Sequence, residues 1–196
     1  MSSSDARAQR GRPTVLDRGA IATATFRLWS EHGYQAVGWR DIAEATGVSV
    51  RTLVRHFARK SDIAWVGVPG ATRRLRAALA ETPADVPVDV AARRAIVESI
   101  SDDPMTPAGT DWIRVVASEP ELAGSAPGAY RPWIDELARF LRQRAPELSP
   151  AEAEAIASGY QATAFAALVS WGEGRTGGDA AASADRALRR LSIATG

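Results

Sequence analysis

The stretch from Ala24 to Phe57, ATFRLWSEHGYQAVGWRDIAEATGVSVRTLVRHF, decides how this chain is read. A helical pattern precedes it and stops at Gly33, where a residue without a Cβ supplies a left-handed cap. Tyr34–Val37 reads as a loop. Gly38-Trp39-Arg40-Asp41 opens a second helix, with Asp41 in the first turn where the backbone dipole favours an anion. Ile42, Ala43 and Ala45 are its apolar members. Thr46-Gly47 is a turn, Ser49 is an N-cap, and a third helix runs to about His56. Leu53 and Phe57, four apart, fall on one inward face. Two short helices joined by a glycine turn, behind a longer one, have the layout of a helix-turn-helix. That unit seats its second short helix in the major groove of a duplex.

Working outward, the helix before Gly33 opens at Pro13-Thr14. Its stripe of Ile21, Ala24, Thr25, Leu28 and Trp29 has helical spacing. Residues 1–12 form a Ser/Arg-rich basic tail, and Arg7, Arg10 and Arg12 in it could reach a neighbouring minor groove. Beyond the motif a fourth helix begins near Lys60-Ser61-Asp62, and Pro69-Gly70 breaks or kinks it. The helical pattern resumes over 71–80. Further helices are predicted over 88–100, 110–118, 130–144, 149–171 and 179–193. Residues 82–87, 102–109 and 119–128 read as linkers or irregular segments. Ser149-Pro150-Ala151-Glu152 is a strong start signal: a Ser cap, Pro in the first position, Glu in the third. No repeat and no strand pattern stands out, so the class is all-α. The division is a tail over 1–12, a DNA-binding unit over 13–60 and a helical body over 61–196.

Charge supports that division. Residues 1–76 carry 13 Lys/Arg against 6 Asp/Glu, and residues 77–196 carry 11 against 17. A front of +7 and a back of −6 suit a unit that faces nucleic acid joined to a body that avoids it. Lys60 is the single lysine among 24 basic residues. With no cysteine and two histidines, a disulfide framework, a thiolate metal site and a His-rich site are excluded, and no cofactor is implied. No apolar run approaches the roughly 20 residues of a spanning helix, and residues 1–11 lack the apolar core of a secretory signal. A cytoplasmic location without membrane association is the expectation. Gly-x-Ser-x-Gly, His-Glu-x-x-His and phosphate-cradling glycine loops are absent, so no enzyme class is indicated.

The residues Leu28-Trp29, Glu31-His32-Gly33-Tyr34, Arg40-Asp41-Ile42-Ala43, Ala45, Gly47-Val48-Ser49, Thr52-Leu53, His56-Phe57 and Lys60 carry a resemblance. The segment from Thr14 to Trp65 resembles the DNA-binding domain of TetR-type transcriptional regulators. The body, through Ile113-Arg114, Glu119-Pro120-Glu121-Leu122, Trp133 and Trp171, is similar to the mycofactocin-associated subgroup. The resemblance implies a double-stranded operator, a homodimer, and a variable helical domain that dimerises and binds a small apolar or amphipathic effector. It also implies that Lys60 contacts phosphate. Gly38 departs from the usual Ser/Thr cap of the second helix, and Val54 stands where many relatives have a phosphate-contacting Tyr.

By helical position Arg51 and Arg55 share a face and can either pair with guanine or touch phosphate alone. Ser49, Arg40 and His56 are further phosphate candidates, His56 having domain packing as its alternative. Val50 or Thr52 could meet a thymine methyl. In the body, Trp112, Trp133, Tyr160, Phe165 and Trp171 are either core or the lining of a cavity, with Arg114 and Gln161 as polar orienters. Arg114 could instead pair with Glu119 or Glu121. The segment Ala162–Trp171 has almost no polar face, and such a helix must be covered on all sides. Ala164, Ala167, Leu168, Ala184, Leu188 and Leu191 are therefore expected at a dimer interface, with a purely intramolecular core as the alternative.

Overall fold

A computed structural model describes residues 16–101 and 109–191. Among the described residues the chain is helical with no strand. The elements are α1 (Arg18–His32), α2 (Trp39–Thr46), α3 (Val50–His56), a 3-10 turn (Lys60–Trp65), α4 (Val68–Ala80), α5 (Val88–Ser101), α6 (Gly109–Ser118), α7 (Pro120–Ala129), α8 (Arg131–Arg144), α9 (Pro150–Gly172) and α10 (Ala180–Leu188).

Local chemistry sets most boundaries. Asp17 Oδ1 accepts from Ala20 N at 2.9 Å and starts α1. The expected opening at Pro13-Thr14 and the Arg7/Arg10/Arg12 tail lie outside the described residues. The buried stripe of α1 is Ile21, Ala22, Thr25, Phe26 and Trp29, turned slightly from the spacing read in the sequence: Ala24 and Leu28 are only half-buried. Gly33 ends the helix at φ 85° but with ψ 149°, so it is positive-φ and extended, not left-handed helical. Gly47, at φ 67° and ψ 11°, is the left-handed cap. The Ser149–Glu152 box closes as expected, Ser149 N donating to Glu152 Oε2 at 2.8 Å and Glu152 N to Ser149 Oγ at 3.3 Å.

Four further expectations change. Lys60–Trp65 is a tight 3-10 turn, held where Arg59 N donates to Asp62 Oδ2 at 2.8 Å. Pro69 then falls in the first turn of α4, where the missing N–H costs nothing, so Pro69-Gly70 opens a helix and does not break one. Residues 119–128, rich in Gly and Pro, form α7: Leu122 and Ala126 sit four apart on its buried face, while Gly124, Pro127 and Gly128 face solvent. Burial of that face outweighs poor intrinsic propensity. The last helix stops at Leu188; Ile193, its expected end, lies outside the described residues.

The packing forms two cores. The first joins Phe26, Trp29, Tyr34, Ile42, Leu53 and Phe57 of the head to Ile63, Trp65 and Val68, and then to Val115, Val116, Leu122 and Ala126 of α6 and α7. The head does not close on itself at residue 60; two body helices complete it. The second core gathers α4, α5, α8, α9 and α10 around Leu75, Ile96, Leu137, Leu141, Tyr160 and Leu188. Tyr130 touches both. Buried Glu136 bonds Arg76 of α4 and Arg139 of its own helix, and Asp185 bonds Arg93 of α5. At the far end of α9, buried Gly172 lets α6 approach: a Cβ built there would lie 2.1 Å from Ile113 Cγ2.

Candidate nucleic-acid interface

Ser49 Oγ accepts from Thr52 N at 3.2 Å and lies 2.9 Å from the Thr52 hydroxyl, which fixes the start of α3. Leu53 and Phe57 are fully buried beneath it and set its rotation. That rotation leaves Ser49, Val50, Arg51, Val54, Arg55 and His56 exposed and Thr52 half-buried. Arg40 is exposed on α2. Among the described residues no hydrogen bond or ion pair engages the guanidinium of Arg40 or Arg51. Arg55 Nη2 lies 3.4 Å from His56 Nε2. The α3 surface is thus an exposed cationic rod on a rigid three-helix base, with the dimensions to enter a major groove.

Lys60 sits elsewhere. Its Nζ donates to Tyr34 O at 2.6 Å and Val37 O at 2.8 Å, and lies 4.0 Å from the centroid of the Tyr34 ring. Burial lowers its pKa from the ordinary lysine value, against the opposing pull of Glu121, Glu119 and Asp41. Two of its three donors hold the loop between α1 and α2, so its placement is that of a staple for the helix-turn-helix.

Long-range bonds lock this head to the body. Tyr34 Oη donates to Glu121 Oε1 at 2.6 Å, Trp65 Nε1 to Ser125 Oγ at 2.9 Å, and Trp112 Nε1 to Ala64 O at 2.8 Å. Burial first, then the Glu121 bond, raises the Tyr34 pKa well above the usual phenol range.

Of the residues expected around an effector, Trp112, Trp133 and Phe165 are joined by one chain of rings. Trp65 meets Trp112 (6.5 Å between centroids) and Tyr130 (5.9 Å); Tyr130 meets Trp133 (6.5 Å) and Phe165 (6.4 Å), all edge-on. Trp65 is absent from the site read in the sequence; its ring partners Trp112 and Tyr130 lie far off along the chain, and no local pattern reveals it. Tyr160 is buried in the second core, its hydroxyl without a hydrogen-bond partner among the described residues, and burial pushes its pKa up to about 12. Gln161 is half-buried on the same helix. Trp171 Nε1 donates to Gly178 O at 3.1 Å. Arg114 pairs with neither Glu119 nor Glu121: its Nε donates to Gly172 O at 2.7 Å, and Nη1 lies 3.9 Å from Asp111.

Of the residues expected at a dimer interface, Ala184 and Leu188 are fully buried within the chain, and Ala164, Ala167 and Leu168 nearly so; Leu191 is half-buried on the second core. Their stripe is covered by the chain's own helices. The outward side of α9 and α10 carries a groove of about 870 Å³, lined by Ala167 of that set together with Thr163, Ala166, Ser170, Arg186 and Ala187 among others.

Residues 21–64 match the family described as bacterial regulatory proteins, tetR family. The chain is 28% identical over 125 residues to the Mycobacterium tuberculosis protein named mycofactocin biosynthesis transcriptional regulator MftR, covering 63% of each chain. It is 41% identical over 54 residues to the HTH-type transcriptional repressor ComR of Escherichia coli, covering 28% of this chain and 26% of ComR. The match therefore spans less than two thirds of either relative. In fold it is similar to the fatty acid degradation regulator FadR of Bacillus halodurans (TM-score 0.63, 17% identity, 91% of this chain and 95% of that one). It is also similar to Thermus thermophilus FadR, a TetR-family repressor in complex with lauroyl-CoA (TM-score 0.54, 21% identity, 91% and 99%). No helix of the described residues is long and apolar enough to cross a membrane. Its amino-terminal helix-turn-helix, residues 21–64, is thus similar to that of the tetR family of bacterial regulatory proteins, and the all-helical body behind it shares the fold of these solved structures.

Proposed function

We propose that this chain is a cytoplasmic transcriptional repressor that binds a palindromic operator as a homodimer and releases it when a small apolar or amphipathic molecule enters its body. The observation that carries the reading is the exposed pair Arg51 and Arg55 on α3, with Leu53 and Phe57 sealed beneath. Arginine is the side chain best shaped to take guanine bidentately, and the exposed Arg40, Ser49 and His56 are the candidates for phosphate contacts. A two-fold partner would place the second α3 about one turn of duplex away, roughly 34 Å. The open groove along α9 and α10 supports a partner on that side. The Thermus FadR neighbour, in complex with lauroyl-CoA, supports an effector with an acyl or similarly apolar part.

Coupling follows from the packing. Because α6 and α7 complete the head's core, a ligand that moves either helix moves α3 through Tyr34–Glu121, Trp65–Ser125 and Trp112–Ala64. It does so only by its difference in affinity for the two arrangements. The rival reading is a helical interaction protein or small-molecule binder without a DNA function. Binding to random duplex across a salt series separates the two: affinity falling steeply with salt supports the regulator, and no affinity at low salt removes it. Arg51→Ala or Arg55→Ala should cost about 1–3 kcal/mol of operator affinity and relax the base preference at one position.

A further inference from the structure

Among the described residues, the large apolar side chains left exposed are Val50 (37%) and Val54 (46%). A lone exposed apolar residue is ordinary. These two lie four apart on one seven-residue helix, on the surface that carries Arg51 and Arg55. At 100° per residue, Val50 and Val54 form one stripe, and Arg51 and Arg55 form a second beside it, about 100° round the helix. Thr52, the other side chain able to offer a methyl, is half-buried with its hydroxyl 2.9 Å from Ser49 Oγ, turned back onto the cap. Arg51 and Arg55 flank the stripe on the same helix, and Arg40 is exposed on the neighbouring α2, which favours a polyanion over an apolar protein surface as its occupant.

The major groove of a duplex presents one apolar group, the 5-methyl of thymine. We propose that Val50 and Val54 each pack on a thymine methyl, so that every half-site carries two thymines about two base-pair steps apart. The spacing follows from the rise of the two helices: four residues advance about 6 Å along α3, and one step of duplex about 3.4 Å. Valine suits the task because branching at Cβ holds it near one rotamer, so little freedom is lost on contact. The inference rests on the DNA-binding reading and adds the chemistry of the bases beside those the arginines take.

The test begins with selection of bound sequences from a random duplex library by the full chain. Enriched duplexes with two thymines at this spacing in each half-site support the proposal. Each thymine is then replaced by deoxyuridine, which keeps every hydrogen bond and deletes only the methyl. Affinity should fall about 4-fold per methyl, from the transfer free energy of one buried methyl-sized group. Val50→Ala and Val54→Ala, each at an exposed site, should each lose the discrimination between thymine and deoxyuridine at one of the two positions and keep it at the other, with an unchanged melting temperature. An enriched duplex bound equally well by the unaltered chain with thymine or deoxyuridine overturns the proposal and leaves the DNA reading intact. No enrichment, together with no salt-dependent binding, overturns both.

Discussion

Gly172→Ala sets two physical effects against each other. In isolation the change should help, because alanine is favoured over glycine inside a helix by about 0.8–1.0 kcal/mol, somewhat less at the last residue of α9. The tertiary contact opposes it. The new Cβ would stand 2.1 Å from Ile113 Cγ2 and 3.4 Å from Ile113 Cβ, and Ile113 is fully buried. The clashing atom is a branch methyl on a stiff χ1, not the free end of a long chain. Relief therefore requires α6 and α9 to move apart. Overpacking of this kind costs about 1–3 kcal/mol, and so close an approach belongs at the upper end. The net expectation is destabilisation by about 1–2 kcal/mol, a fall in Tm of roughly 2–8 °C for a chain of this size. Thermal and urea unfolding of the purified chain measure it. A double-mutant cycle isolates the cause. Ile113→Ala alone should cost about 2–5 kcal/mol through its cavity, and in that background the added methyl of Gly172→Ala should be neutral or favourable. If Gly172→Ala alone raises Tm by its propensity value, the α6–α9 crossing is not constrained at this point and the reasoning fails.

Other perturbations probe the links between head and body. Tyr34→Phe should lower stability by about 1 kcal/mol, and adding Glu121→Gln should cost little more, since both remove the same bond. Because the folded-state pKa of Tyr34 is raised, its contribution is complete below the ordinary value of 10.0 and is lost as pH rises beyond it. An alkaline loss of stability that persists unchanged in Tyr34→Phe would contradict this. Glu136 has the opposite sign: hydrogen bonds from Arg76, then Arg139, hold its carboxyl below the usual 4.5 against the effect of burial. Its contribution is complete above that value and fades as pH falls through the lowered one, so Glu136→Gln should flatten the acid limb of a stability–pH curve. Lys60→Met should destabilise the head by about 1–2 kcal/mol through two lost carbonyl bonds and a lost ring contact. A loss of operator affinity with no change in Tm would instead identify Lys60 as a phosphate contact.

Features decided within a few residues were legible from the sequence. Ser49, Gly47 and the Ser149–Glu152 box act on backbone groups at most three or four positions away, so composition and spacing suffice to place them. The outward aspect of Arg51 and Arg55 followed equally from the inward turn of Leu53 and Phe57. Local rules misread 119–128, because Gly and Pro there argue against a helix, whereas Leu122 and Ala126 gain their burial from the head, dozens of residues earlier in the chain. Lys60 and Trp112 differ for the same reason: their partners, Tyr34, Val37 and Ala64, lie 23 to 48 positions away.

From order and spacing alone came an all-helical chain, the helix-turn-helix, its caps and the exposed face of α3, because those depend on hydrogen bonds and periodicity along one stretch of backbone. Only the tertiary structure decided that α6 and α7 complete the head, that Lys60 staples a loop, and that Ala184 and Leu188 are covered by the chain's own helices. A periodic apolar stripe requires a cover, and nothing in its spacing says which surface supplies one.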